Sequence, residues 1–95
     1  MKQGDKVVVF TELRGIHFGE LAHDYDGGDT VLLNNCRHGY YLGTKQGVYE
    51  SATNGPPIKE SKIGPAVASQ WVRKVANVAL CSADAAKAWE AAQWK

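Results

Sequence analysis

The chain has 95 residues, a formal net charge of +1 at pH 7, and 44% hydrophobic and 22% charged residues. This length predicts one small domain over residues 1–95, with a core thin enough that self-association would help it. The balanced charge excludes a protein that wraps nucleic acid or mimics it by charge. Because the N-terminus lacks an apolar signal region and no apolar run is long enough to span a bilayer, we expect a cytoplasmic protein without membrane contact.

The first half of the chain predicts short strands separated by turns. Residues 7–10 are a β-branched run that follows a Gly-Asp turn. Residues 16–22 alternate, with Ile16 and Phe18 on one side and His17 on the other, and Gly19 is a candidate bulge or close backbone contact. A turn rich in Asp and Gly precedes a third strand over residues 30–36, and residues 40–42 predict a short fourth strand. The pattern indicates an antiparallel meander.

The second half predicts a loop, a strand and a helix. Residues 44–53 are ambiguous and can form one or two helical turns before Gly55. Residues 71–80 are rich in β-branched side chains and predict a long final strand that pairs with the N-terminal strand. Residues 82–94 are rich in Ala, with Ser82 as N-cap and Trp89 facing the sheet. The fold prediction is therefore α+β: a small antiparallel, SH3-like barrel with a long Gly/Pro-rich loop and a C-terminal helix.

The stretch over residues 35–67 is the candidate binding site, because it concentrates Gly, Pro, Asn and aromatic residues in an ordered loop. Arg supplies a planar fork of donors for phosphate, Tyr supplies a flat stacking face, and Asn reads polar base edges. Gly-Pro turns present backbone N–H groups to an anion. The predicted ligand-binding residues are Asn35, Arg37, Tyr40, Tyr41, Thr53, Asn54, Gly55, Lys62 and Gly64.

Each of these features also has a purely structural interpretation. The asparagines can form a turn, the tyrosines can pack in the core, and Arg37 can form a surface salt bridge. The Gly-Pro segments can be two structural turns around a loop. At this point the sequence leaves both interpretations open.

The sequence shows no signature of catalysis, and we expect neither a metal nor a cofactor. Four residues of metal-ligand type, His17, His23, Cys36 and His38, match no zinc spacing. No nucleophile elbow or metalloprotease motif is present. Cys36 and Cys81 are both expected to be free thiols, as cysteines are in most intracellular proteins. A basic strip of Arg14, Arg73 and Lys74 is too small to make nucleic acid the favoured partner.

From Asn35 onward the chain resembles a family of short, largely uncharacterised bacteriophage and prophage proteins. The resemblance covers about two thirds of the chain and depends on a pattern that includes Asn-x-Arg at Asn35, Gly-Pro at Gly55, Ile-Gly-Pro-Ala at Ile63 and Trp-Glu at Trp89. The chain differs from the family pattern at two places. The pattern has a bulky aromatic residue where this chain has Leu42, and it has Gly-Leu-Ala where this chain has Glu-Ser-Ala at residues 50–52. The resemblance implies a phage origin and an accessory role, without implying a chemistry.

The leading hypothesis from these observations is a non-catalytic phage protein that counters host defence by sequestering a nucleotide-derived immune signal. It would act as a homo-oligomeric sponge in the host cytoplasm, with Arg37 on phosphate and a tyrosine stacked on the base. One alternative is a protein-interaction module that inhibits a host enzyme through exposed aromatic residues. The others are a small enzyme that cleaves such a signal and a small nucleic-acid-binding domain.

Overall fold

The computed structural model describes residues 1–12, 15–41, 50–56 and 61–92. Within them are six strands and two helices. The strands are β1 (Lys6–Thr11), β2 (Ile16–Leu21), β3 (Thr30–Tyr41), β4 (Lys62–Ile63), β5 (Val67–Arg73) and β6 (Val75–Leu80). The helices are α1 (Glu50–Thr53) and α2 (Ala83–Ala91). Neither described helix has the length and hydropathy needed to cross a bilayer.

All strand pairs of the sheet are antiparallel. The order is β4-β3-β2-β1-β6, and β5 also pairs with β3, beside the half of β3 that β4 leaves free. The α+β prediction is therefore confirmed. The predicted pairing of the last strand with the N-terminal strand is also correct, since β6 lies against β1.

The sheet curls strongly at Lys74, the one residue between β5 and β6. These two strands pair with opposite sides of the sheet, β5 with β3 and β6 with β1. Since a single residue connects them, the two sides of the sheet must approach each other there, and Lys74 takes a left-handed φ of +56°. Along the described residues β5 and β6 form no ladder with each other, so the sheet is curled but not closed, and a closed SH3-like barrel is not confirmed.

Alternation along the strands produces two separate hydrophobic clusters, one on each face of the sheet. The inner cluster fills the concave face and consists of Val7, Val9, Leu21, Val31, Leu33, Cys36 and Val72. The outer cluster lies between the sheet and the helices and consists of Val8, Phe10, Phe18, Ala52, Ile63, Ala86 and Trp89. We call these two sides the inner face and the outer face.

Several element boundaries differ from the sequence prediction. The third and fourth predicted strands are one strand of 12 residues, β3. The single strand predicted over residues 71–80 is two strands, because the backbone turns at Lys74. The predicted C-terminal helix is present as α2, capped by Ser82 as expected. Part of the ambiguous segment is helix α1, whereas residues 42–49 and 93–95 lie outside the described part.

Candidate functional site

A bulge at Asn35 decides which side of the sheet the second half of β3 faces. The pairing of β2 with β3 shifts by one residue between Phe18 and Glu20. Opposite this shift Asn35 has a φ of +50°, in the left-handed region that Asn tolerates better than most residues. The extra residue turns Cys36 into the inner cluster and Arg37 toward the outer face. The exposed residue Asn35 therefore has a structural role that needs no ligand.

The Arg37 side chain is buried and joins three parts of the chain. It is only 6% exposed. Its Nε and Nη2 donate to the Gly64 carbonyl at 2.9 and 2.7 Å, and its Nη1 donates to the carbonyls of Trp89 at 2.8 Å and Ala92 at 2.6 Å. These bonds use four of the five N–H groups of a guanidinium. Burial lowers the pKa of Arg37, but the group stays charged at any physiological pH.

This arrangement makes Arg37 a clamp on the end of α2. The last carbonyls of a helix have no partner inside the helix. Arg37 binds two of them and also brings a positive charge to the negative end of the helix dipole. A phosphate at this guanidinium would have to displace backbone carbonyls, so the geometry favours a structural role. The structural alternative considered from the sequence, a surface salt bridge, is wrong because the side chain is buried against carbonyls.

Helix α2 is held on the outer face by Trp89. The indole is fully buried and stacks on Phe18, with ring centroids 5.5 Å apart and planes 3° from parallel. Its N–H donates to the Ser51 carbonyl at 2.9 Å, so the polar atom of the buried ring is satisfied. The predicted docking of α2 through Trp89 is confirmed.

The segment around α1 packs against the start of α2. Ser82 caps α2 by accepting from the Ala85 N–H at 3.0 Å, and its hydroxyl donates to the Thr53 carbonyl at 2.7 Å. Gly55 has a φ of +84°, and a Cβ at this position would lie 2.4 Å from the Cβ of Ala88. Only glycine allows this approach, so Gly55 serves helix packing. The side chains of Thr53 and Asn54 are exposed.

The predicted binding residues whose side chains the structure describes do not meet in one site. Arg37 and Gly64 meet at the C-terminal end of α2, whereas Thr53 meets its N-terminal end. The nine residues of α2 separate these ends by about 13 Å at 1.5 Å per residue. Lys62 is exposed on β4. Tyr40 and Tyr41 lie on β3, and their side chains are outside the described part of the structure.

Helix α2 covers only part of the outer face, and a polar row marks the limit of its cover. In this row Lys6 binds Glu90 of α2 at 2.5 Å and Glu20 at 3.7 Å. The row continues across the sheet to Asn34, which accepts a 2.9 Å hydrogen bond from the Ser69 hydroxyl. The Glu90 contact raises the pKa of Lys6, with a smaller contribution from Glu20, so the lysine is cationic.

Beyond this row lies an exposed aromatic surface that the sequence prediction missed. Trp71 is 57% exposed and lies opposite the half-buried Leu32, while Arg73 lies opposite Thr30 one row further. Because Val72 faces the inner cluster, its neighbours Trp71 and Arg73 face outward. We call Leu32, Trp71, Arg73 and the Asn34–Ser69 pair the Trp71 surface. Alternation over residues 69–73 was the signal that could have revealed it.

A family model matches residues 4–89, which include all six strands and the Arg37 clamp apart from the carbonyl of Ala92. The chain belongs to this family. Its description is a domain of unknown function, DUF6948. No curated protein and no solved structure matches the chain. The family thus establishes relationship without assigning an activity, and the Trp71 surface lies inside the DUF6948 domain.

The cysteines and stacked histidines of this DUF6948 domain differ in their exposure: Cys36 is buried, Cys81 and His17 are half-buried, and His38 is exposed. Burial raises the pKa of the Cys36 and Cys81 thiols to about 11, and both cysteines are free, as predicted. His17 stacks on His38 across strands β2 and β3, with ring centroids 4.7 Å apart. Burial, with a smaller contribution from His38, lowers the pKa of His17 to about 4. Among the described residues, no three metal-ligating side chains converge.

Proposed function

We propose that this protein is a non-catalytic binding module that recognises a protein partner through the Trp71 surface. The observation that carries the proposal is the 57% exposure of Trp71 beside Leu32, on the part of the outer face that α2 leaves uncovered. Trp and Arg are the residues that most often dominate binding energy at protein interfaces. Trp71 and Arg73 supply both, with a polar Asn34–Ser69 pair at the margin.

The roles of the other polar side chains support binding over catalysis. Arg37 is held by backbone carbonyls, and the thiols of the buried Cys36 and the half-buried Cys81 have raised pKa values. A nucleophile or an anion-binding arginine would need access to its substrate. The exposed groups of the Trp71 surface have the amphipathic character of an interface centre and rim.

Site-specific photocrosslinking in the producing cells tests this proposal. A benzophenone amino acid replaces Trp71 in one variant and Leu80 in a matched variant, since both positions are 57% exposed on strands. We expect a discrete crosslinked protein band from position 71 and none of comparable yield from position 80. Equal crosslinking at both positions, or none at either, would contradict an interface at Trp71. Mass spectrometry of the band identifies the partner.

The nucleotide-sequestering function stays a prediction, together with the phage origin and the host-defence role. The structure places Asn35, Thr53, Asn54 and Lys62 at the surface, which keeps them accessible to a ligand. The accessibility of these four residues is the only support for this second candidate, because the Arg37 guanidinium already binds backbone carbonyls. Native mass spectrometry of protein from defence-active cells, followed by heat release, tests it. Recovery of one intact nucleotide per binding site would establish a sponge, and an empty protein would exclude this function.

Three further expectations belong to the proposal. They are an SH3-like character of the curled sheet, a cytoplasmic location and self-association. The sharp turn at Lys74, where β5 and β6 meet end to end, supports the first of them. The thin core of a 95-residue chain supports the last. Light scattering after size-exclusion chromatography measures the subunit number, and a monomer at all accessible concentrations would contradict self-association.

A further inference from the structure

Strand β5 is an open edge of the described sheet. It pairs with β3 on one side, and among the described residues it forms no ladder with β4 or β6, the strands that precede and follow it in the sequence. Such an edge presents unpaired N–H and C=O groups that can pair with another chain. Natural edges are blunted by proline, bulges, shortness or several charges, whereas β5 has seven residues, Val67–Arg73, with no proline and one charge at its end.

The segment that contains β5 and β6 carries charges of one sign. Residues 61–82 contain Lys62, Arg73 and Lys74 and no acidic residue. All three cations are exposed, and within the described residues none forms an ion pair, whereas Lys2 and Lys6 do. Two acidic residues, Asp29 and Glu12, contact this segment through backbone hydrogen bonds: the Asp29 carbonyl accepts from Val75, and the Glu12 N–H donates to the Lys74 carbonyl. Neither forms an ion pair with Arg73 or Lys74 among the described residues. A partner with carboxylates would complement this edge.

We propose that β5 binds an extended, acidic segment of a partner protein, which adds a strand to the sheet beside β5. Backbone hydrogen bonds to β5 supply affinity, and Arg73 and Lys74 select acidic side chains. Trp71 covers an apolar side chain of the added strand. This inference rests on the proposed function, because it names the part of the partner that is recognised.

A peptide strand fits this edge better than nucleic acid does. Only another backbone offers donors and acceptors at the spacing of a strand edge. Proteins that bind single strands of nucleic acid use a larger positive groove with several stacked aromatic residues. Here the chain has a net charge of +1, and Trp71 is the large exposed aromatic residue of the described part.

The first experiment uses designed peptides and the unmodified protein. A fluorescent ten-residue peptide that alternates valine and glutamate is compared by anisotropy with its valine–lysine counterpart. Two further acidic peptides carry N-methyl groups on either the odd or the even residues. We expect the acidic peptide to bind at least tenfold more tightly than the basic one. Only every second N–H group of an added strand faces β5. N-methylation should therefore weaken binding at least tenfold in one of these two peptides, the one whose methyl groups face β5, and much less in the other.

Variants then locate the binding. The double variant Arg73→Glu with Lys74→Glu should reverse the preference, so that the basic peptide binds more tightly. Lys87→Glu, at an exposed position on α2, is the matched control and should leave the preference unchanged. Circular dichroism and urea unfolding confirm that each variant is folded. If a variant does not fold, the two N-methylated peptides still decide the question with the unmodified protein.

The outcomes separate this inference from the proposed function. Strand addition would be overturned if the acidic and basic peptides bound equally or if neither bound. It would also be overturned if N-methylation of the odd and of the even residues weakened binding to the same extent. Tighter binding of a twelve-residue oligothymidylate than of the acidic peptide would also overturn it, in favour of nucleic acid. A partner crosslinked at position 71 alongside any of these results would leave the proposed function standing and remove only the added strand.

Discussion

Replacing Arg37 by methionine should destabilise the fold strongly, because it removes a clamp that three backbone carbonyls share. Methionine keeps most of the apolar stem but none of the N–H donors. The Gly64 and Trp89 carbonyls then lose buried hydrogen bonds to a charged group, while Ala92 is half-buried and can bind water instead. A buried acceptor left without a partner costs about 1–3 kcal/mol. The Gly64 carbonyl loses both of its bonds to Arg37, whereas the Trp89 carbonyl keeps a long 3.4 Å bond from the Ala92 N–H. With about 1 kcal/mol more for the bond lost at Trp89, the free energy of unfolding should fall by about 2–4 kcal/mol.

Urea unfolding followed by tryptophan fluorescence measures this loss, because the buried Trp89 reports on the docking of α2. The midpoint should fall with little change in the slope m. Arg73→Met is the matched control, since Arg73 is exposed and substitutions of this kind usually change stability by less than about 0.5 kcal/mol. Arg37→Lys should recover only a small part of the loss, since a lysine lacks the planar fork.

If Arg37→Met and Arg73→Met unfold at the same urea concentration, the clamp contributes nothing and the reasoning is refuted. The same experiment separates the structural role from the ligand role that the sequence suggested. A ligand-binding arginine would lose nucleotide affinity on substitution without a loss of stability. A clamp loses stability whether a ligand is present or absent.

Three other predictions follow from burial and close packing. The pKa of His17 is about 4 in the folded state and 6.5 in the unfolded state, so the free energy of unfolding should fall as the pH drops from 6.5 toward 4, by at most about 3 kcal/mol. His17→Gln should remove this part of the pH dependence in urea titrations, and an unchanged profile would contradict it. Because their pKa values are about 11, Cys36 and Cys81 of the folded protein should react with iodoacetamide at pH 8 roughly 100-fold more slowly than a free cysteine. In urea, where the protein is unfolded, both should react at the rate of a free cysteine. Mass spectrometry measures both rates. Gly55→Ala should destabilise by about 1–3 kcal/mol more than Gly4→Ala, since both have positive φ but only Gly55 meets a close neighbour; equal midpoints in urea would show that α2 moves aside without cost.

Local pattern was sufficient to predict much of the fold. The alternation of Phe18 with its neighbours, the β-branched run of β1 and the Ala-rich helix with its Ser82 cap all have periods that the sequence displays directly. Trp89 was predicted to dock α2, because one large aromatic residue on an alanine face has few other uses. These features depend on neighbours within a few residues, which is the range over which the sequence is informative.

The role of Arg37 could not be predicted in this way. Its partners are 27, 52 and 55 residues away in the chain. They are backbone carbonyls, which every residue has, so the sequence does not show which of them Arg37 binds. The bulge at Asn35 hides it further, because regular alternation from Leu33 would have turned Arg37 to the inner face. An arginine between asparagines and tyrosines resembles a ligand site when its backbone partners are unknown.

The Trp71 surface was missed for a related reason. When residues 71–80 are treated as one strand that pairs with β1, Trp71 becomes a central residue of a closing sheet and is expected to pack in the core. The turn at Lys74 separates it from that strand and places it on β5, beside Leu32.

Two tryptophans thus have opposite uses on the same outer face. Trp89 reaches it from a helix of this chain and is fully buried, whereas Trp71 lies on the sheet itself and is 57% exposed. The polar row from Lys6 to Ser69 separates the two areas and ends the cover of α2. An exposed tryptophan on an unblunted edge strand invites non-specific association unless a partner covers it. The covered area therefore holds the fold together, and the uncovered one is the area where we propose that a partner protein binds.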